Sequence, residues 1–200
     1  MQGEPCVSVV DDDDLVRRSL ERLLKSGGFA VRTFHSPFEY LAQRPSGPGC
    51  LIVDMSMPGL SGLELQKRLS SSADPCPVVF LSGRSDVPSS VEAMKAGAVD
   101  FLTKPVVREK LLESVRAALA KDASERAERE QRGSMAARFA SLTAREREVI
   151  ELVAAGMLNK QIAARLGTAE KTVKVHRARA MRKLGAGSVA GLVRLTLRPN

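Results

Sequence analysis

Residues 7–26 read VSVVDDDDLVRRSLERLLKS, and their pattern decides the first half of the chain. The short β-branched apolar run suits a strand buried on both faces. Four aspartates then stop it, and an amphipathic pattern over residues 15–26 suits a helix lying back on the sheet. Strand, carboxylate-bearing turn and helix make one βα unit. The unit recurs. Further strand-like runs fall at residues 29–34, 50–53, 78–81 and 99–102, with helical patterns at 37–43, 62–70, 87–96 and from 107 onward. Gly27-Gly28, residues 45–48, Pro58-Gly59 and Gly97 separate them as turn formers. Five such units predict a five-stranded parallel sheet with helices on both faces.

Two hundred residues allow a second small domain, and the charge suggests where it lies. The net charge is +8, but residues 1–120 carry 14 Lys and Arg against 15 Asp and Glu, whereas residues 121–200 carry 17 against 8. Only the second part is expected to meet a polyanion, and charge alone would suit nucleic acid or an anionic membrane surface. No run of roughly 18 apolar residues is present, and the N-terminus lacks the basic and apolar regions of a signal peptide. A soluble cytoplasmic protein with no membrane partner is therefore expected. Cys6, Cys50 and Cys76 show no CxxC or Cys/His spacing and read as buried reduced thiols. Residues 121–138, KDASERAEREQRGSMAAR, are highly charged and nearly free of large apolar side chains. They read as a solvated extension of the fifth helix that breaks at Gly133-Ser134. The expected organisation is a sheet domain over 1–120, a charged and partly helical linker over 121–140, and an all-α domain of four helices over 141–200.

In an open parallel sheet the reactive groups gather beyond the carboxyl ends of the strands. Here the first strand runs into Asp11 and Asp12, the third ends on Asp54, the fourth on Ser82, and the fifth is followed by Lys104-Pro105. Three crowded carboxylates repel each other unless a cation shares the site, and hard oxygen donors favour Mg²⁺. An ionised Asp beside such a metal can take a phosphoryl group as an acyl phosphate. Metal, lysine and hydroxyl would neutralise the transferring oxygens. Asp13 or Asp14 more simply caps the following helix. An EF-hand fails, because Leu15 and Val16 stand where that loop needs a polar ligand and glycine, and neither a GxGxxG nor a Walker-type motif is present.

The segments VVDDDDLVRRSL, LIVDMSMPGLSGLEL, VVFLSGRSD and AMKAGAVDFLTKP resemble a CheY-type receiver, and their wording is most similar to the FixJ group of response regulators. The resemblance covers residues 5–120 and implies the flavodoxin-like strand order 2-1-3-4-5. By position it implies Asp54 as phosphoacceptor, Asp11 and Asp12 as the metal-binding pair with the Ser56 backbone carbonyl, and Ser82 and Lys104 on the phosphoryl group. Phe101 would be the rotating aromatic switch, against the plainer reading of a core aromatic. Pro105 would follow the lysine through a cis peptide. Ser82 stands where Thr is frequent and Val106 where Phe often follows, which leaves the hydroxyl in place.

In the second domain Thr143-Ala-Arg-Glu146 is a capping box, with Leu142 placed as a staple. The first helix ends at Gly156; Asn159 is expected to cap a second that ends at Gly167; a third runs over about 169–184 and a fourth from about 188. At 100° per residue, Val173, Ala180 and Leu184 of the third helix face the core. Lys171, Lys174, Val175, Ala178 and Arg182 face outward, flanked by His176, Arg179 and Lys183. Small outer residues with cationic flanks suit a major groove. The segment LTAREREVIELVAAGMLNKQIAARLGTAEKTVKVHRARAMRKLGAGS resembles the LuxR/NarL-type helix-turn-helix. That resemblance implies base-reading positions at Lys174, Val175 and Ala178, and backbone contacts from Thr172, His176, Arg177, Arg179 and Lys160. Ala169 departs from the usual Ser or Thr cap, leaving Thr168 or a frayed start. Ala178 offers only apolar contact, so readout would rest on Lys174, Val175 and Arg177.

Together these readings predict a regulator phosphorylated on Asp54 by a sensor histidine kinase, which then dimerises and binds an inverted repeat in double-stranded promoter DNA. Any catalysis would be confined to its own phosphorylation and dephosphorylation. The alternative is a regulator whose receiver answers a ligand or partner instead. A haloacid-dehalogenase-like phosphohydrolase would need an Asp where Ser56 stands.

Overall fold

The structure, a computed structural model, describes residues 4–72, 74–83 and 87–196. Its contacts divide into two units, Met1–Ala127 and Glu128–Asn200. The first unit is a sheet of β1 (Cys6–Val10), β2 (Ala30–Phe34), β3 (Gly49–Asp54), β4 (Val78–Ser82) and β5 (Asp100–Thr103). The strands lie in the order β2-β1-β3-β4-β5, and every pairing is parallel. This is the flavodoxin-like order that the receiver resemblance implied. Between the strands run α1 (Asp14–Ser26), α2 (Pro37–Gln43), α3 (Gly62–Ser70) and α4 (Val87–Lys95), and α5 (Arg108–Ala140) follows β5.

Strand periodicity assigns the two apolar layers. Leu51 and Val53 of β3 pack with Tyr40 of α2, Leu65 and Leu69 of α3, and Ala93 of α4. Cys50 and Ile52 face the other side, against Leu20 and Leu24 of α1 and Leu111, Val115 and Ala118 of α5. All six residues of β3 are buried, as a central strand with both faces covered requires. Gly49 opens that strand because a Cβ there would lie 2.3 Å from the Cys6 carbonyl oxygen. Asp13 caps α1, its carboxylate accepting from the Leu15 and Val16 amides at 2.8 and 3.2 Å.

The fifth helix departs from the sequence expectation. It passes through Gly133-Ser134 without a break. One helical glycine costs only about 1 kcal/mol against alanine, and its neighbours are good helix formers carrying the Arg132–Glu128 pair at 3.2 Å. Nor is all of residues 121–138 solvated. Asp122 is 1% exposed; one of its oxygens, Oδ2, accepts both the Gly49 amide at 2.9 Å and Arg126 Nε at 2.8 Å. Arg126 also donates to the Gly47 carbonyl and pairs with Asp74 at 3.0 Å.

The second unit holds α6 (Ala144–Ala154), α7 (Asn159–Leu166), α8 (Glu170–Leu184) and α9 (Val189–Thr196). Its core joins Val149, Ile150 and Val153 of α6, Ile162 of α7, Val173, Ala180 and Leu184 of α8, and Leu192 of α9. The capping box of Thr143 and Glu146 is present. Gly167, at φ 61°, turns α7 into α8 in the left-handed conformation that glycine adopts freely.

Candidate functional sites

Strand direction brings Asp11, Asp54, Ser82 and Lys104 to the carboxyl edge of the sheet. Lys104 Nζ stands between two carboxylates, 2.7 Å from Asp11 Oδ2 and 2.5 Å from Asp54 Oδ1. The other Asp54 oxygen accepts the Ser56 amide at 2.9 Å, which sets the Ser56 backbone beside the carboxylate. Asp11 Oδ1 accepts the Asp13 amide at 3.0 Å, and Arg17 donates to the Asp11 carbonyl at 2.8 Å. Backbone bonds hold the strand ends together: Met55 to the Leu81 carbonyl and Lys104 to the Ser82 carbonyl, each at 2.8 Å. Gly62 lies directly beneath, since a Cβ there would come within 2.6 Å of the Asp54 carbonyl oxygen. The Lys104-Pro105 peptide is cis.

The electrostatics follow from burial. Desolvation raises the Asp11 carboxyl above its usual range, and the hydrogen bond and charge of Lys104 only partly offset this. For Lys104 burial opposes the ammonium, but hydrogen bonds to Asp11 and Asp54 outweigh it and hold the pKa above the ordinary lysine value. Lys104 therefore serves as the cation that two buried carboxylates require. Asp12 is exposed, and no group of three His, Cys, Asp or Glu side chains among the described residues is close enough to share a metal. Ser82 is buried at the end of β4. Phe101 is half-buried, 6.5 Å from Phe80, and borders a cleft of about 140 Å³ shared with Pro105, Val106, Val107 and Lys110.

On α8, Lys171, Thr172, Lys174, Val175, Ala178, Arg179 and Arg182 are exposed, as is Lys160 on α7. His176 and Arg177 are half-buried. Lys174 pairs with Glu170 at 3.0 Å. Two cations of α8 reach partners on other segments of the unit. Arg177 donates to Asn159 Oδ1 at 3.0 Å, and Lys183 reaches Glu146 at 2.6 Å and the Ser141 carbonyl at 2.9 Å. Asn159 is the first residue of α7 rather than its cap; Leu158 holds the cap position, and its amide donates to Gln161 Oε1 at 2.8 Å. Ala169 holds the cap position of α8 without a side-chain acceptor, so Thr168 does not take that role. The fasteners Asp122, Arg126, Asn159 and Arg145, the last donating to the Leu166 carbonyl, escape sequence reasoning, because nothing in local spacing marks a partner many residues away.

A parallel sheet of this order with paired acids and a lysine at its carboxyl edge, followed by a helix-turn-helix unit, defines a class. Residues 7–116 match the response regulator receiver domain and residues 140–196 the bacterial regulatory proteins of the luxR family. The chain belongs to the response regulators that join a receiver to a LuxR-type DNA-binding domain, the transcriptional regulators of two-component systems. It is 44% identical over 192 residues to the transcriptional regulatory protein FixJ of Azorhizobium caulinodans, spanning 96% of this chain and 91% of that one. It is 43% identical over 191 residues to nodulation protein W of Bradyrhizobium diazoefficiens, spanning 95% and 84%. Among solved structures, the response regulator StyR matches with a TM-score of 0.90 at 46% identity over 98% of this chain and all of that one. Full-length FixJ from B. japonicum matches with a TM-score of 0.59 at 40% identity over 97% and 96%. No helix among the described residues is long and apolar enough to cross a membrane.

Proposed function

We propose that Asp54 is the phosphoacceptor and that its phosphorylation by a sensor histidine kinase controls dimerisation and promoter binding. The observation that carries the reading is the Lys104 ammonium held between Asp11 and Asp54 at the carboxyl edge of the sheet. An Asp54 oxygen attacks the phosphorus of a phosphohistidine and the phosphorus–nitrogen bond breaks, leaving the phosphoryl group on the carboxylate. Lys104 then moves with its charge from carboxylate to phosphoryl oxygen, and the Ser82 hydroxyl donates to another. Asp11, Asp12, Asp54 and the Ser56 carbonyl would supply the oxygen donors that suit Mg²⁺, with Asp12 turning in from its exposed position to join Asp11 and Asp54, which already share one cation. When bound, Mg²⁺ neutralises charge on the transferring oxygens.

Phe101 moving inward would reshape the face that carries exposed Val91 and Met94 on α4 and Val107 before α5, an apolar surface suited to a second copy. Two second units would then read two half-sites, with Lys174, Val175 and Ala178 at base edges and Lys160, Lys171, Thr172, His176, Arg179 and Arg182 at phosphates. The site of action is cytoplasmic, where both kinase output and promoter are found.

The test is a duplex library titrated with the full chain, with and without beryllofluoride and Mg²⁺, beside Asp54→Asn. Dimer formation and tighter binding in the wild type alone support the proposal. Equal binding in every sample overturns it in favour of a receiver that answers a ligand or partner.

A further inference from the structure

Helix α7 has eight residues and buries only Ile162 and Ala163, too small an apolar face to fix its own angle. Arginines from its two neighbours hold its ends. Arg145 of α6 donates to the Leu166 carbonyl at 2.7 Å, closing the C-terminal end. Arg177 of α8 donates to Asn159 Oδ1 at 3.0 Å, closing the N-terminal end. On a wheel of 100° per residue Arg177 lies about 40° or less from Val173 and Leu184, on the buried side of α8. Its half-buried state agrees with that direction and sets it apart from Lys171, Lys174, Val175 and Ala178, which are all exposed.

We infer that Arg177 is a positioning residue of the helix-turn-helix and not a DNA contact. Through Asn159 it fixes where α7 begins, and with it the place of Lys160 relative to the outward face of α8. The Arg177 guanidinium is thereby directed into the unit, and a count of cations on α8 overstates the phosphates it can contact. This inference rests on the DNA-binding reading given above.

The experiment uses the full chain with beryllofluoride and Mg²⁺ and a duplex that the wild type selects from a random library. Arg177→Ala, Asn159→Ala, the double variant and Arg177→Gln are compared for affinity, salt slope and melting. Each alanine variant should weaken binding about tenfold, the scale of one lost charge-assisted hydrogen bond, and the double variant should bind no worse than either. The dependence on salt should keep its slope. Arg177→Gln keeps an N–H donor without the charge and should recover most of the affinity; it also decides the matter if the alanine variants melt early. Multiplying losses, a neutral Asn159→Ala, or an Arg177→Gln as weak as Arg177→Ala with a slope shallower by about 0.9 would overturn the inference. If the wild type selects no duplex, the DNA-binding reading falls first and carries this one with it.

Discussion

Replacing Asp122 by alanine should destabilise the first unit by about 2–3 kcal/mol, whereas asparagine should cost less than about 1 kcal/mol. The difference comes from the geometry of one oxygen. Oδ2 accepts both the buried Gly49 amide and Arg126 Nε, while Oδ1 has no hydrogen-bond partner among the described residues. Alanine leaves the Gly49 N–H at the head of a buried strand without an acceptor, a loss of about 1–3 kcal/mol. The Arg126 contribution is smaller, because its side chain is 22% exposed and keeps Asp74 and the Gly47 carbonyl. Asparagine can set its oxygen where Oδ2 was and retain both bonds, giving up only charge. Calorimetry of the full chain should show the first unit melting roughly 6–12 °C lower for Asp122→Ala and within about 4 °C of wild type for Asp122→Asn. Equal losses in the two variants would refute the reasoning, since the carboxylate charge and not the acceptor would then be the stabilising element.

Three further outcomes are expected. Ala169→Ser should supply the missing acceptor at the start of α8 and stabilise the second unit by about 0.5–1 kcal/mol in urea unfolding; no gain would mean the Ala169 carbonyl, which already accepts from Thr172 and Val173, satisfies that turn. Gly62→Ala should cost about 1–3 kcal/mol by forcing β3 or Phe80 to shift, and slow phosphoryl uptake followed by gel shift; normal uptake at normal stability would show that Asp54 tolerates the displacement. Glu146 is held below its usual pKa, first by Lys183 and then by the Thr143 amide. Its stabilisation is present above the ordinary Glu value and is lost as pH falls through the lower folded value. Glu146→Gln should therefore flatten the acid loss of the second unit's melting temperature below about pH 4.5, and a wild-type slope in that variant would rule Glu146 out as its source.

The sheet and its reactive edge were legible because both are written locally. Buried strands need β-branched runs, and a residue that ends such a run is carried to the carboxyl edge whichever order the strands take. Strand order itself came from resemblance, since spacing cannot say that β1 lies between β2 and β3. The expected break at Gly133-Ser134 shows a weak punctuation mark overruled by its neighbours' helix propensity. Arg177 shows the opposite limit: charge and helix position alone could not reveal that Asn159, on another helix, had claimed it. Asp122 was hidden for the same reason, a carboxylate in a charged stretch whose partner is the backbone of a distant glycine.

Because β3 is sealed along all of its six residues, Asp54 can be approached from one side only, the edge where the strand ends. On the proposed role of Asp54, whatever delivers a phosphoryl group and whatever removes it would have to use a single doorway. A protein seated there would then shield the mark it had just written or hold off the next one, so the lifetime of such a signal would be set as much by who stands at the opening as by the chemistry inside it.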